Sequence, residues 1–94
     1  MSDQPHFKLY LKPGCPWCTR AKAWLDEHGY RYQELDVIAD DNAFTEMQEL
    51  TSQTLAPSLV VNHKEENQLI LPDFGPDELA DFLDEHQIPP HGDN

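Results

Sequence analysis

The hydrophobic positions along the chain follow two different periods, and each period predicts one kind of element. Residues 7–12 alternate apolar and basic side chains, a period of two that is typical of a half-buried strand. Pro13 and Gly14 interrupt this pattern, and apolar residues then recur at spacings of three and four, which predicts a helix. Pro16 suits the first turn of that helix because its missing N–H has no partner there. Gly29 stands where the helix is expected to end.

The second part of the chain continues with the same two periods. It predicts strands at residues 30–37, 58–61 and 68–71, and helices that begin at Asp40 or Asp41 and at residues 75–78. The polar residues 63–67 between the last two strands indicate a hairpin. The expected buried faces of these helices are Phe44, Met47 and Leu50 in the first, and Leu79, Phe82 and Leu83 in the second.

The predicted order is therefore β-α-β-α-β-β-α, an α/β fold. Its first half is a βαβ unit, whose two strands we expect to be parallel with a right-handed crossover. Its second half is an antiparallel hairpin followed by a closing helix. Together they predict a four-stranded mixed sheet flanked by three helices, which must cover both faces of the sheet.

The length of 94 residues predicts a single domain, residues 1–94, with a core at about residues 7–86 and a flexible tail at residues 87–94. The chain carries no apolar run long enough to cross a membrane and no basic-then-apolar leader. Its two cysteines are too few for a disulfide scaffold and are typical of a reducing compartment. We therefore expect a cytoplasmic monomer.

The formal net charge of −12 argues against nucleic acid and anionic membranes as partners, because both repel an acidic surface. The charge is also unevenly distributed. Residues 1–31 hold five basic and three acidic side chains, a charge of +2, whereas residues 32–94 hold one basic and fifteen acidic side chains, a charge of −14. This asymmetry has two explanations: chance combined with a need for solubility, or positive charge kept near the cysteines for a thiolate or an anionic substrate.

The two cysteines are the candidate catalytic residues. Disulfide exchange needs one thiolate that attacks and a second thiol that resolves the mixed disulfide. Cys15 lies at the predicted helix N-terminus, close to Lys12, where the helix dipole and the cation favour the ionised sulfur. Cys18 lies one turn inside the helix. We therefore assign Cys15 as the nucleophile and Cys18 as the resolving thiol.

A zinc knuckle and a structural disulfide are the alternatives for this cysteine pair. A closed zinc site needs four ligands, so two histidines would have to complete it. The available histidines are His6, His28, His63, His86 and His91. No two of them have a spacing typical of zinc sites, and a reducing compartment disfavours a structural disulfide. We therefore expect no bound metal.

Residues 12–18, Lys-Pro-Gly-Cys-Pro-Trp-Cys, closely resemble the active-site segment of dithiol glutaredoxins. The resemblance extends from residue 7 to about residue 85 and includes residues 34–37, residues 51–53 and the Ala56-Pro57 pair. It implies a thioredoxin-like fold and a thiol–disulfide oxidoreductase. It further implies glutathione as co-substrate and disulfide-containing proteins as partners.

The resemblance also implies a glutathione site. Lys12 would meet the glycine carboxylate of glutathione with help from Gln53, and Trp17 would line the groove. Asp77 would hold the γ-glutamyl amine at the start of the last helix. Each charged residue also has a plain explanation, Lys12 as a solvated charge at a strand end and Asp77 as a helix-start acid.

The Ala56-Pro57 pair matches the position of a cis-proline opposite the cysteines in the family. There the residue before the proline offers backbone groups to an extended substrate, so the resemblance assigns Ala56 and Pro57 to substrate binding. The alternative is a proline that only opens the third strand.

Three other functions remain open on the sequence. Ala56-Pro57 and residues 74–77 equally resemble glutaredoxin-like hydrogen donors of ribonucleotide reductase, which are reduced by thioredoxin reductase. An iron–sulfur carrier is disfavoured by Pro16, because family carriers more often have glycine or serine there. A glutathione-binding module of the transferase type is disfavoured because no helical second domain follows.

Overall fold

Seven elements make up the part of the chain that the structure, a computed structural model, describes, which is residues 4–90. Their order confirms the predicted β-α-β-α-β-β-α arrangement. They are β1 Phe7–Leu11, α1 Pro16–Glu27, β2 Gln33–Asp36, α2 Asp41–Thr51, β3 Ser58–Val61, β4 Leu69–Leu71 and α3 Pro76–Glu85.

The four strands form one mixed sheet in the order β2-β1-β3-β4. β1 and β2 are parallel, as predicted for the βαβ unit, while β3 is antiparallel to both β1 and β4. Ser58, the first residue of β3, therefore pairs with Tyr10 near the end of β1. This register brings the loop before β3 to the same end of the strands as the start of α1.

Helices cover both faces of the sheet, as expected. On one face, α1 and α3 pack against the odd-numbered residues of β1 and β3. On the other face, α2 packs through Ala43 and Met47 against Tyr10 and Val60. The predicted stripe of α3 is buried, whereas Phe44 and Leu50 of α2 are only partly buried.

Two predicted boundaries differ from the structure by more than one residue. β2 begins at Gln33, three residues after the predicted start, because the backbone N–H of Tyr30 closes the end of α1 by donating to the Leu25 carbonyl at 2.9 Å. At the other end of the chain, Ile88 belongs to the core, and its carbonyl accepts a hydrogen bond from the Tyr30 hydroxyl at 2.7 Å. The core thus extends past residue 86, into the segment predicted to be a flexible tail; residues 91–94 of that tail lie outside the described residues.

Candidate functional site

Cys15 occupies the N-cap of α1, the position that the sequence predicted for it. Its extended backbone turns directly into the helix at Pro16. Its sulfur accepts a hydrogen bond from the backbone N–H of Cys18 at 3.3 Å. One of the free N–H groups of the helix terminus therefore points at this sulfur, where it stabilises negative charge.

Cys18 is the buried member of the pair, with 3% of its surface exposed, and both cysteines are free. Burial raises the pKa of the Cys18 thiol to about 11, and its contact with Cys15 adds to this increase. The backbone N–H of Lys12 donates to the Cys18 sulfur at 3.5 Å and opposes it. At neutral pH, Cys18 is thus a protonated thiol beside a partly exposed sulfur.

The loop before β3 faces the cysteines. The Ala56–Pro57 peptide bond is cis, as the resemblance implies, and the Ala56 carbonyl oxygen lies 4.0 Å from the Cys15 sulfur. Among the described residues, the backbone N–H of Ala56 has no hydrogen-bond partner. The Pro57 carbonyl is occupied, because it accepts from the Phe74 N–H at 3.2 Å. Within residues 4–90, the Ala56 N–H is therefore an unpaired donor in the loop that faces Cys15.

Gln53 braces this loop from within. Its side-chain nitrogen lies 2.8 Å from the Thr51 hydroxyl, 3.0 Å from the Leu55 carbonyl and 3.1 Å from the Ser58 hydroxyl. Its side-chain oxygen accepts from the Leu55 N–H at 2.5 Å. The amide that the resemblance assigned to glutathione is thus already engaged in holding the loop before β3.

The two charged residues assigned to glutathione lie at different helices. Lys12 is partly exposed just before α1, and its ammonium group forms no ion pair with any residue from 4 to 90. Asp77 is exposed in the first turn of α3. Both side chains are accessible from solvent, and their roles stay predictions.

Trp17 contacts a region of α3 that the sequence did not connect with it. Its ring is 52% exposed, and a Cβ atom at Gly75 would lie only 3.3 Å from it. The Arg20 guanidinium lies over the same ring, 5.0 Å from its centroid. A small cavity of about 130 Å³ opens here, lined by Trp17, Asp73, Phe74, Gly75 and Glu78.

The sequence did not identify four of these residues as site residues, namely Asp73, Phe74, Gly75 and Glu78. Glu78 accepts the Gly75 N–H at 2.8 Å, which is half of a capping box. The position of Glu78, three residues after Gly75, was a sequence signal for helix capping. Nothing in the sequence, however, indicated that the indole of α1 would lie against Gly75, because that contact arises from the packing of α1 beside α3.

The part of the chain that the structure describes has neither a cluster of metal ligands nor a helix that could span a membrane. Within residues 4–90, no three His, Cys, Asp or Glu side chains are grouped closely enough to hold a metal ion. His91, one of the histidines considered for zinc, lies outside this range. None of the helices described here is both long and apolar enough to cross a membrane.

The known proteins that resemble this chain include a transcriptional regulator and a glutaredoxin. A segment of 46 residues is 35% identical to the global transcriptional regulator Spx of Listeria innocua, covering 49% of this chain and 35% of that protein. A segment of 54 residues is 39% identical to a glutaredoxin of Neisseria meningitidis, covering 56% of this chain and 64% of that protein. The chain thus spans about a third of the first relative and less than two thirds of the second.

One family model and one solved structure support the same family. The solution structure of glutaredoxin from Brucella melitensis superposes with a TM-score of 0.58 at 28% identity, covering 92% of this chain and 86% of that one. The family model for glutaredoxin matches residues 7–65, which is more than half of the chain and includes both cysteines. The chain therefore belongs to the glutaredoxin family.

Proposed function

We propose that the chain is a glutathione-dependent thiol–disulfide oxidoreductase that reduces protein disulfides or glutathione mixed disulfides. The observation that carries the proposal is the placement of Cys15 at the N-cap of α1, with a helix N–H on its sulfur and a buried thiol one turn away. This is the arrangement that disulfide exchange requires, an attacking sulfur that accepts a helix N–H beside a protonated second thiol.

In the first step, the Cys15 thiolate attacks one sulfur of the substrate disulfide. A new bond forms from the Cys15 sulfur to that substrate sulfur, the substrate S–S bond breaks, and the other substrate sulfur leaves as a thiolate that takes up a proton from solvent. An extended substrate backbone has a donor to pair with in the free N–H of Ala56. Ala56 and Pro57 would thus align the substrate disulfide with the Cys15 sulfur.

In the second step, the mixed disulfide is resolved. Cys18 gives up its proton and attacks the Cys15 sulfur, the second substrate sulfur leaves, and the protein holds a Cys15–Cys18 disulfide. Two glutathione molecules then restore the dithiol and become glutathione disulfide, so that two electrons and two protons reach the substrate in each cycle. Lys12, Trp17 and Asp77 are the residues that we assign to glutathione, with Gln53 acting through the loop that it braces.

The hydrogen bonds of Gln53 favour thioredoxin reductase as an alternative electron source. The amide nitrogen of Gln53 already has three acceptors within the loop, so little of its donor capacity is left for a glutathione carboxylate. A chain that took electrons from thioredoxin reductase would use the same two cysteines and would not need this contact.

A paired reductant assay tests the proposal. The protein is given a disulfide substrate together with NADPH, glutathione and glutathione reductase, or with NADPH and thioredoxin reductase alone. We expect NADPH oxidation in the first mixture and none above background with the Cys15→Ser variant. Turnover in the second mixture only would identify thioredoxin reductase, and not glutathione, as the electron source. Turnover in neither mixture would contradict an oxidoreductase function.

A further inference from the structure

A larger cavity, which we call the far cavity, lies at the end of the sheet away from the cysteines. It has a volume of about 490 Å³, within the range of about 300 to 1,000 Å³ that is typical of small-molecule sites. Its walls come from the segment before β1, the hairpin between β3 and β4, and the chain after α3. They include Pro5, Val61, Asn62, Leu69 and Ile88.

The far cavity is separate from the site of disulfide exchange. Val61 is the last residue of β3 and pairs with Phe7, the first residue of β1. Cys15 follows the opposite end of β1, and the four residue steps along that strand span about 14 Å. Among the described residues that line the far cavity, none is assigned to exchange or to glutathione. The proposed function therefore gives this cavity no role.

Asn62 contributes a buried amide to the far cavity. The residue is only 8% exposed. Its backbone groups are both engaged, because its N–H donates to the His6 carbonyl at 2.9 Å and its carbonyl accepts from the Glu65 N–H at 3.0 Å. Within residues 4–90, its side-chain amide forms no hydrogen bond. The amide is therefore the group that Asn62 can offer to a molecule in the cavity that it lines.

The backbone conformation explains the residue type at this position but not the burial of its amide. Asn62 has a φ of 57°, and asparagine adopts this left-handed conformation more readily than most residues. A solvated side chain would satisfy that requirement equally well. Buried polar side chains are nearly always hydrogen-bonded, because a buried amide without a partner is costly. The amide of Asn62 thus marks a place where a bound molecule can supply the missing partner.

The composition of the walls determines the chemistry of such a molecule. A side-chain amide has donors and an acceptor side by side, so it pairs at both atoms with a second amide. Val61, Leu69 and Ile88 provide an apolar surface for the rest of the ligand. Among the described lining residues there is no lysine or arginine, and Glu66 is a carboxylate, so an anion would have no charged partner here. The walls therefore favour a neutral ligand.

We infer that the far cavity binds a small neutral molecule that carries a carboxamide or lactam group on an apolar ring. The ligand amide pairs with the Asn62 side chain, and the ring lies against Val61, Leu69 and Ile88. Binding involves no covalent step and does not rest on the proposed function. Loss of disulfide exchange would leave it unchanged.

Nuclear magnetic resonance titration of the full chain tests this inference with three related probes. Benzamide carries the neutral amide, benzoate replaces it with a charge, and N,N-dimethylbenzamide keeps the carbonyl but has no donor. We expect benzamide to cause saturable shifts of the Asn62 side-chain signals and of the Leu69 and Ile88 backbone amides, with a Kd on the order of 1 mM. The other two probes should bind at least about tenfold more weakly.

Matched variants test whether Asn62 supplies the selectivity. Asn62→Gly suits the left-handed backbone and removes the amide, so the preference for benzamide over N,N-dimethylbenzamide should fall from about tenfold to less than about twofold. Asn62→Asp keeps the size and an acceptor but loses the donors, and should bind benzamide at least about fivefold more weakly. Asn42→Asp makes the same exchange at an exposed position in α2 and should leave the Kd within about 1.5-fold of its original value.

Three outcomes would overturn the inference. The absence of a saturable shift with benzamide would show that the far cavity is not an amide site. Shifts at Trp17 and Ala56, in place of Leu69 and Ile88, would assign the binding to the site of disulfide exchange. Equal affinity of Asn62→Gly and the original chain for benzamide would assign the binding to the apolar walls alone. If a variant fails to fold, the three probes on the unchanged chain still decide the matter, because equal binding of all three would contradict an amide partner.

Discussion

Cys15 and Cys18 lie one helical turn apart, yet their sulfurs differ in exposure to solvent. The Cys15 sulfur is partly exposed and receives a helix N–H, whereas Cys18 is buried under β1 and α3. Burial raises the pKa of Cys18 to about 11, so this thiol is protonated when substrate arrives. This difference in burial supports the proposed roles, Cys15 as the attacking sulfur and Cys18 as the resolving one.

Serine substitutions test this division of roles. Cys15→Ser should lose exchange with every disulfide, because the remaining sulfur is buried and protonated. Cys18→Ser should still reduce glutathione mixed disulfides, because a second glutathione can resolve the Cys15 mixed disulfide, but it should lose at least about tenfold in reduction of internal protein disulfides. Initial rates with one substrate of each kind measure both effects.

The opposite pattern would refute the assignment. If Cys15→Ser retained activity towards mixed disulfides while Cys18→Ser lost it, the attacking sulfur would be Cys18. Thermal unfolding of both variants serves as the control for folding, since serine in place of the buried Cys18 exchanges a sulfur for a hydroxyl within the core.

At the scale of the elements, α2 is the helix that connects the sheet to the loop before β3. It begins at the N-cap residue Asp40, whose carboxylate accepts from the N–H groups of Asn42 at 2.9 Å and Ala43 at 3.3 Å. It ends at Thr51, whose hydroxyl accepts from Gln53 within the loop. The position of the cis-proline loop therefore depends on where α2 starts and stops.

Removal of this cap should destabilise the protein. Asp40→Ala leaves two helix N–H groups without a side-chain partner and should lower the free energy of unfolding by about 1 kcal/mol. For a domain of this size, that corresponds to a fall of about 5 °C in Tm. Asp40→Asn is the matched control, because it removes the same charge but keeps an acceptor, and its Tm should stay within about 2 °C of the original value. Equal losses in the two variants would assign the effect to charge rather than to capping.

The sequence predicted the elements well and the contacts between them poorly. Local signals such as Gly29, with its positive φ of 78°, and Pro76 at the start of α3 determine where helices end and begin. Two features escaped these signals: the hydrogen bond from the Tyr30 N–H to the Leu25 carbonyl, which delays the start of β2, and the long-range contact that buries Ile88 against Tyr30. The same holds for the site, where a local motif identifies both cysteines but only packing brings Trp17 to Gly75.

At the scale of the whole molecule, a cluster of polar side chains ties β1, α2 and the hairpin together on the α2 face of the sheet. The Lys8 ammonium bonds Glu46 of α2 and the Nδ1 atom of His63, each at 3.0 Å. Tyr10 of β1 donates its hydroxyl to the same Glu46 carboxylate. Three segments distant in sequence are thus held by groups whose protonation depends on pH.

The directions of the pKa shifts determine the sign of that dependence. Burial and the nearby Lys8 ammonium lower the pKa of His63 below its usual value of 6.5, with smaller contributions from Lys64 and His6, and Glu46 only partly opposes them. Burial alone would raise the pKa of Glu46, but hydrogen bonds from Tyr10 and Lys8 hold it below its usual value of 4.5. When the pH falls below the pKa that either group has in the unfolded chain, the unfolded chain binds more protons than the folded one. Stability therefore falls as the pH falls.

We therefore expect the free energy of unfolding, measured by urea titration, to be highest near neutral pH. It should decrease as the pH falls below 6.5, because His63 takes up a proton more readily in the unfolded chain, and again below 4.5, because Glu46 does the same. His63→Gln can still accept from Lys8 but cannot titrate, so it should flatten the first decrease and leave the second. Nuclear magnetic resonance titration of the His63 ring in the folded protein should give a midpoint below 6.5. A midpoint above 6.5 would mean that the Glu46 carboxylate outweighs burial and Lys8, and protonation of His63 would then stabilise the fold instead.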